Sequence, residues 1–370
     1  MNYRKLINIF SMTIVCSILI IACNKPAGSQ GSSGHSPSPS NTKVFKWKLA
    51  QTWKTNVPIF GDVTKKFVKI VNIMSNGRLI IKIVPSNIHK APLGIFDFVK
   101  SGRYEMGHSA SYYWKGKNFN AIFFTTVPFG MIATEQYAWF YYGGGMELME
   151  EFYSKYGLLS FPGGNTGNQM GGWFRKEIKT IEDFKNLKMR IPGFAGEVLT
   201  KVGAKTINIP PGELYQSLER GLIDALEWVG PSLDLQMGFH KIAPYYYTGW
   251  HEPATELQFL INKKAFDKLP PDLKEIVIIA MKSTAYDMLS QSMHESAINW
   301  EKIKTEYPNI KVKTFSKEII ARLKEENAKL LKERAAKDPF SKKIIEHQQA
   351  YMKKVRAWTK MSDYAYLKDN

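Results

Sequence analysis

Strand patterns alternate with helical patterns along most of the chain, and this alternation limits the possible folds more than any other feature of the sequence. A period-two strand pattern runs from Val44 to Leu49, and apolar residues at helical spacing follow from Val63 to Met74. After the Asn76-Gly77 turn a second strand pattern covers Leu79 to Val84. The same order recurs as far as the apolar run Leu257 to Ile261. We therefore expect an α/β fold.

From Pro271 onward the pattern is helix after helix, and only Ile310 to Phe315 has the length of a strand. We expect a helical C-terminal tail over about residues 300–370. The chain carries 51 Lys and Arg against 33 Asp and Glu, a net charge of +18, and a basic tail can bind nucleic acid. In this tail the two signs are interspersed, as on an ordinary solvated helix. No nucleic-acid partner is therefore predicted.

The first 22 residues have the pattern of a signal peptide. Arg4 and Lys5 precede a mostly apolar run that ends at Ala22, directly before Cys23. A small residue before cysteine resembles the lipobox of bacterial lipoproteins, which makes Cys23 the predicted lipidation site and residues 23–43, rich in Gly, Ser and Pro, a flexible tether. The alternative is an uncleaved membrane anchor, for which the run is short. Residues 44–370 would then form the domain outside the cytoplasm.

Local catalytic motifs are absent from the sequence. It contains no G-x-S-x-G elbow, no Walker loop and no H-E-x-x-H helix, and its histidines lack the spacing of a closed zinc site. A triad assembled from distant residues stays open, but an enzyme is the less favoured interpretation.

Four polar side chains stand in apolar or glycine-rich stretches, where burial is costly unless they hold something. Arg190 suits a clamp on a carboxylate, although an ordinary ion pair at a strand edge is the alternative. Glu227 suits a hard cation, with Gln169 as an amide ligand, although a structural carboxylate paired with Lys or Arg is the alternative. Glu252 lies in the segment Trp250-His251-Glu252-Pro253.

Three longer stretches give the sequence a recognisable likeness. They read GNTGNQMGGWFRKEIKTIEDFKNLKMRIPGFAGEVLTKVGA from Gly164, IPPGELYQSLERGLIDALEWVGP from Ile209, and YYYTGWHEP from Tyr245. The chain resembles the solute-binding subunits of tripartite ATP-independent periplasmic (TRAP) transporters, in particular the branch that binds 2-oxo acids and related monocarboxylates. The likeness extends more weakly from Phe45 to about Lys360.

This resemblance implies a two-lobed periplasmic-binding-protein-like fold, with crossing strands and a long connecting helix, that closes on its ligand. It assigns Arg190 to the ligand carboxylate, and Asn168, Gln169, Tyr113 and Trp228 to the substrate pocket. It also implies a bridging Na⁺ or Ca²⁺ held by the side chains of Gln169, Glu227 and Glu252 and by the backbone carbonyl of Trp228. The expected partners are a small organic acid, the TRAP membrane permease, the membrane through the lipid anchor, and a second copy of the chain through C-terminal helices.

The chemistry of the residues agrees with this assignment. Two glutamates beside a carboxylate ligand would repel it unless a metal ion reverses the sign of the local field. We therefore expect a lipid-anchored periplasmic or cell-surface receptor rather than an enzyme. A metal-dependent enzyme acting on the same acids and a tethered adhesion or signalling module remain the alternatives.

Overall fold

Two mixed β-sheets organise the structure, a computed structural model that describes residues 43–369. The strands are β1 (Phe45–Gln51), β2 (Leu79–Val84), β3 (Met106–Ser109), β4 (Leu158–Asn165), β5 (Gly172–Phe174), β6 (Lys188–Arg190), β7 (Lys205–Ile207), β8 (Ala225–Leu226), β9 (Tyr245–Tyr247), β10 (Glu256–Asn262) and β11 (Lys311–Lys313). The first sheet has the order β2-β1-β3-β10-β4, and the second has the order β11-β9-β5-β8-β6-β7. Each sheet with the helices that cover it is a lobe.

The helices lie around these sheets and form most of the C-terminal part. They are α1 (Phe60–Met74), α2 (Ser86–His89), α3 (Ile95–Lys100), α4 (Ala133–Tyr142), α5 (Gly145–Ser154), α6 (Gly193–Lys201), α7 (Leu214–Glu219), α8 (Pro231–Met237), α9 (Lys263–Asp267), α10 (Pro271–Glu306), α11 (Lys317–Lys337), α12 (Pro339–Thr359) and α13 (Ala365–Asp369). Single 3₁₀ turns cover Ser111–Trp114, Phe119–Phe124, Ile181–Phe184, Pro211–Glu213 and Phe239–Lys241, and a π turn covers Lys360–Tyr364. Among the helices of the described residues, none combines the length and apolar composition needed to cross a membrane.

Alternation in β1 decides how the first lobe is packed. Trp47 and Leu49 point to a buried layer beneath α1 and α10, while Lys46 and Lys48 face solvent. β1 pairs in parallel with both β2 and β3, whereas β10 runs antiparallel to β3 and β4. The antiparallel strand marks the return of the chain from the second lobe.

The chain passes between the two sheets three times. Residues 166–171 lead from β4 in the first sheet to β5 in the second, and residues 248–255 return from β9 to β10. The third passage is α10, a helix of 36 residues that follows β10 and precedes β11. Two extended segments and one long helix therefore connect the lobes, as the resemblance implied.

The expected α/β class, the two sheets and the long connecting helix are confirmed. The helical C-terminal tail is confirmed as well: α10 continues to Glu306, the strand-length run Ile310 to Phe315 contains β11, and α11, α12 and α13 follow. The signal peptide, Cys23 and the tether as far as residue 42 lie outside the described residues. Those three assignments stay predictions.

Candidate functional site

Parallel strands bring Arg190 and Glu227 together at one edge of the second sheet. Arg190 is the last residue of β6 and pairs with Leu226 of β8, so Glu227 follows directly at the same edge. The Nη1 atom of Arg190 lies 2.5 Å from Oε1 of Glu227 and donates to the Glu227 carbonyl at 2.6 Å. Nε of Arg190 donates to the carbonyl of Ile209 at 3.3 Å. The guanidinium is thus held on one side and directed by three contacts.

The two extended passages between the lobes bring Gln169 and Glu252 to the same edge. The backbone N–H of Gln169 donates to the carbonyl of Glu252 at 2.9 Å, which ties one passage to the other. Gly249 makes this approach possible, since a Cβ there would lie 1.8 Å from the carbonyl oxygen of Gln169. The close contact of the two passages therefore depends on a glycine.

Arg190, Glu227 and Glu252 form a cluster shielded from water, and the backbone of Gln169 is hydrogen-bonded to it. Gln169, Arg190, Glu227 and Glu252 are each no more than 2% exposed. His251 joins them, and its Nε2 lies 3.2 Å from Oε2 of Glu227. Carboxylate oxygens of Glu227 and Glu252 and a ring nitrogen of His251 all lie within 4.8 Å of one another. Atoms at this separation can contact one common ion.

Several polar atoms of the cluster have no hydrogen-bond partner within residues 43–369. They are Nη2 of Arg190, Oε1 of Gln169, Nδ1 of His251 and Nε1 of Trp228. Unpaired buried polar groups cost free energy, so their concentration at one place marks a binding site more strongly than any one of them would. Arg190 offers a donor for an anion, and Gln169 offers an oxygen for a cation.

Burial dominates the protonation of the two glutamates. It raises the pKa of Glu227 to about 7, against the guanidinium of Arg190, which lowers it. Burial also raises the pKa of Glu252 to about 7, and the nearby charge of Glu227 raises it further. The pKa of His251 is lowered by burial, which keeps the ring neutral. Near neutral pH a bound cation would favour the ionised form of both carboxyl groups.

Aromatic side chains from both lobes close the site. The guanidinium of Arg190 lies over the ring of Trp228, 5.8 Å from the ring centroid. The Trp228 ring packs edge-on against Phe60 of α1, with 5.6 Å between the two ring centroids. Burial raises the pKa of Tyr113, and the charges of Arg190 and Glu227 also act on its hydroxyl. Tyr112 is buried beside Gly193. These rings contribute an apolar boundary that excludes water.

The structure brings most of the predicted site residues together. Arg190, Glu227, Glu252 and Trp228 share one cluster, and Gln169 is joined to it by the hydrogen bond from its backbone N–H to Glu252. For Arg190 and Glu227 it also realises the alternative left open by the sequence, because the two form a buried ion pair with each other.

Asn168 differs from the other predicted site residues. Its side chain is exposed and lies near Gly249, whereas Gln169 is buried. The structure therefore does not place it in the cluster, and its contact with substrate stays a prediction.

His251 was not predicted as a member of the cluster. A lone histidine in a sequence is more often a structural residue, and only its place beside Glu252 hinted at a shared site. Its contact with Glu227 requires the fold, because 24 residues separate the two.

A family model matches residues 49–338, which is more than half of the chain. Its description is bacterial extracellular solute-binding protein, family 7. A monocarboxylate 2-oxoacid-binding periplasmic protein of Nostoc sp. (strain PCC 7120) is 38% identical over 323 residues, which cover 87% of this chain and 88% of the relative.

Two crystal structures of TRAP periplasmic solute binding proteins are each 65% identical to this chain. One is from Colwellia psychrerythraea with bound calcium and pyruvate, and the other is from Pseudoalteromonas atlantica T6c with bound sodium and pyruvate. Each match covers 89% of this chain and all of the other chain, with a TM-score of 0.88. These relatives are solute-binding proteins of transport systems and not enzymes.

Proposed function

This chain belongs to family 7 of the bacterial extracellular solute-binding proteins, and we propose that it captures a small 2-oxo or 2-hydroxy monocarboxylate, such as pyruvate, together with Ca²⁺ or Na⁺. It is a periplasmic receptor that delivers its ligand to the membrane permease of a TRAP transporter. The observation that carries the proposal is the buried Nη2 of Arg190, an unpaired donor beside a group of oxygen ligands.

The ligand carboxylate binds Arg190 in this proposal. Nη1 and Nε are already occupied by protein oxygens, and Nη2 is left to donate. A charge-assisted hydrogen bond in a site shielded from water is stronger than one in solvent. Tyr113 and Trp228 would bound the remainder of a small ligand.

The bridging cation would be held by the side chains of Gln169, Glu227 and Glu252 and by the carbonyl of Trp228. The fit is supported by the unpaired Oε1 of Gln169 and by the mutual approach of the acidic side chains. Ca²⁺ and Na⁺ prefer oxygen ligands of this kind. When bound, the ion supplies the positive charge that lets an anionic ligand lie beside two carboxylates.

Calorimetric titration tests the proposal. The chain from Lys43 onward forms one compact unit and is the sample. Pyruvate is titrated in Ca²⁺, in Na⁺ and in chelator, with a C4-dicarboxylate as the comparison acid. Pyruvate should bind with metal and lose at least tenfold in affinity without it, and the variant Glu252→Gln should lose the metal dependence. Equal pyruvate affinity with and without metal would overturn the bridging ion, and no binding in any condition would overturn the receptor.

We also propose that a lipid on Cys23 anchors the protein to a membrane. It is supported by the apolar run that ends at Ala22 and by the tether composition that follows. Cells expressing the full chain should incorporate labelled fatty acid into the protein, and Cys23→Ser should abolish that labelling. Labelling that persists in the variant would contradict the assignment.

We also propose that two copies of the chain form a homodimer through their C-terminal helices. It is supported by large apolar side chains that α12 and the following turns leave exposed, with Trp358 at 69%, Met361 at 77% and Leu367 at 72%. Light scattering should give twice the mass of one chain. Truncation after residue 355 should return the mass of a monomer, and an unchanged dimer after truncation would contradict this interface.

A further inference from the structure

Glu256 is a buried carboxylate where the chain returns to the first lobe. It is fully buried at the start of β10. Its Oε1 accepts the backbone N–H groups of Gly163 and Gly164 at 3.0 and 2.9 Å, and its Oε2 accepts Nδ2 of Asn165 at 3.0 Å. No Lys, Arg or His of residues 43–369 forms an ion pair with it. Burial raises the pKa of Glu256 to about 8, although the hydrogen bonds from these donors lower it, and a polar group buried so deeply is costly unless the bonds it makes are needed.

The hydrogen-bond partners of Glu256 lie where the other extended passage begins. Gly163, Gly164 and Asn165 are the last residues of β4, directly before the chain leaves for the second lobe. Glu256 follows directly after the segment that returns from it. One carboxylate therefore binds the first-lobe ends of both extended passages.

The third passage is tied to the same place through α4 and through packing. Oε1 of Gln136 accepts Nδ2 of Asn165 at 2.8 Å, and the hydroxyl of the next residue, Tyr137, donates to the carbonyl of Ala285 in α10 at 3.0 Å. Gly164 has a φ of +129°, and a Cβ there would lie 2.1 Å from the sulfur of Met288 in α10. All three connections between the two sheets thus meet around Glu256.

Two of the predicted metal-ligating residues lie a few residues along the chain from this meeting point. Gln169 is four residues beyond Asn165, and Glu252 is four residues before Glu256. Between them the passages are joined by two backbone hydrogen bonds, Thr166 N–H to the Thr255 carbonyl at 3.2 Å and Gln169 N–H to the Glu252 carbonyl at 2.9 Å. A shift of the backbone at Glu256 would therefore move Gln169 and Glu252 together, because the two passages are hydrogen-bonded to each other between them.

We propose that Glu256 is a positioning residue: its carboxylate fixes the point about which the lobes close and sets the relative position of Gln169 and Glu252. It touches neither metal nor acid. The inference rests on the proposed function for its effect on ligand affinity, but its effect on lobe opening is independent of the ligand.

Glu256→Gln tests this role with almost no change of shape. A glutamine offers one acceptor oxygen, and its NH₂ group would face the NH₂ group of Asn165 or the glycine N–H groups, so part of the network must open. We expect small-angle X-ray scattering to give a larger radius of gyration for the ligand-free variant than for the wild type. We also expect affinity for pyruvate in Ca²⁺ to fall at least tenfold.

Gln258→Met is the matched control. Gln258 is also fully buried, two residues further along β10, and its side chain bonds Tyr153, Ser160, Ser111 and the carbonyl of Phe124. All of these partners lie in the first lobe. Its loss should lower the melting temperature and leave the radius of gyration and the ligand affinity within twofold of the wild type.

Three outcomes would overturn the proposal. The first is that Glu256→Gln lowers the melting temperature but leaves the radius of gyration and the affinity for pyruvate unchanged. The second is that the control Gln258→Met loses as much affinity for pyruvate as Glu256→Gln. The third applies if Glu256→Gln does not fold: Asn165→Ala, which keeps the carboxylate and removes one donor, should then give an intermediate loss of affinity, and no loss would refute the role. If the wild type binds no pyruvate, the proposed function fails, whereas the scattering comparison still decides on Glu256.

Discussion

Replacement of Arg190 by methionine removes the charge of the site while keeping the length of the side chain. The structure gives Arg190 two tasks, because one face of its guanidinium holds Glu227 and two carbonyls while Nη2 is left without a partner. Loss of one partner of a buried ion pair costs about 3–5 kcal/mol of folding free energy. Loss of a buried charged contact to a ligand costs about 2–5 kcal/mol of binding free energy.

These magnitudes set the expected measurements. At tenfold per 1.4 kcal/mol, affinity for pyruvate in Ca²⁺ should fall by about thirtyfold to several thousandfold. The melting temperature of the ligand-free chain should fall by about 4–7 °C at pH 8, where Glu227 is ionised. At pH 6 the fall should be smaller, because Glu227 is then protonated and leaves no unpaired charge.

Titration calorimetry measures the affinity for pyruvate, and thermal unfolding measures the melting temperature, of the wild type and of Arg190→Met. Arg175→Met is the control, since Arg175 lies in the same lobe and, within residues 43–369, its guanidinium hydrogen-bonds the carbonyls of Leu218 and Glu219 and no acidic side chain. That variant should keep its affinity for pyruvate. An affinity of Arg190→Met within threefold of the wild type would refute the role of Arg190 as the carboxylate clamp, and unchanged melting would refute its role in the ion pair.

Three further predictions concern the same site. Gly249→Ala should weaken pyruvate binding at least tenfold, because its Cβ would overlap the Gln169 carbonyl, whereas Gly212→Ala, which meets nothing, should be neutral by calorimetry. Thr255→Val removes the hydroxyl that donates to Glu252 and should weaken Ca²⁺ binding several-fold, for a hydrogen bond worth about 1 kcal/mol; unchanged affinity would contradict this. Glu227 and Glu252 have pKa values raised from 4.5 to about 7, so the folded chain holds protons that the unfolded chain releases in that range. Metal-free stability in melting scans should therefore fall as pH rises from about 4.5 to 7, while Ca²⁺ affinity in titrations rises; stability that rises, or affinity that falls, over this range would be inconsistent with this.

The sequence by itself determined the class of fold and most of the site's members. Alternating and helical periodicities report which face of each element is buried, so β1, α1 and β2 could be predicted from local pattern. Arg190 and Glu227 were conspicuous because charged side chains in apolar stretches need a partner. Long motifs then identified the family through the residues around them.

Tertiary structure decided how those residues act on one another. That Arg190 pairs with Glu227 follows from the register of β6 against β8, which no local pattern encodes. Asn168 and Gln169 are neighbours in sequence, but the fold leaves Asn168 exposed and buries Gln169 beside the cluster. The role inferred for Glu256 depends on three chain passages meeting, and such contacts between distant segments are set by packing and backbone geometry rather than by the residues next to them in the chain.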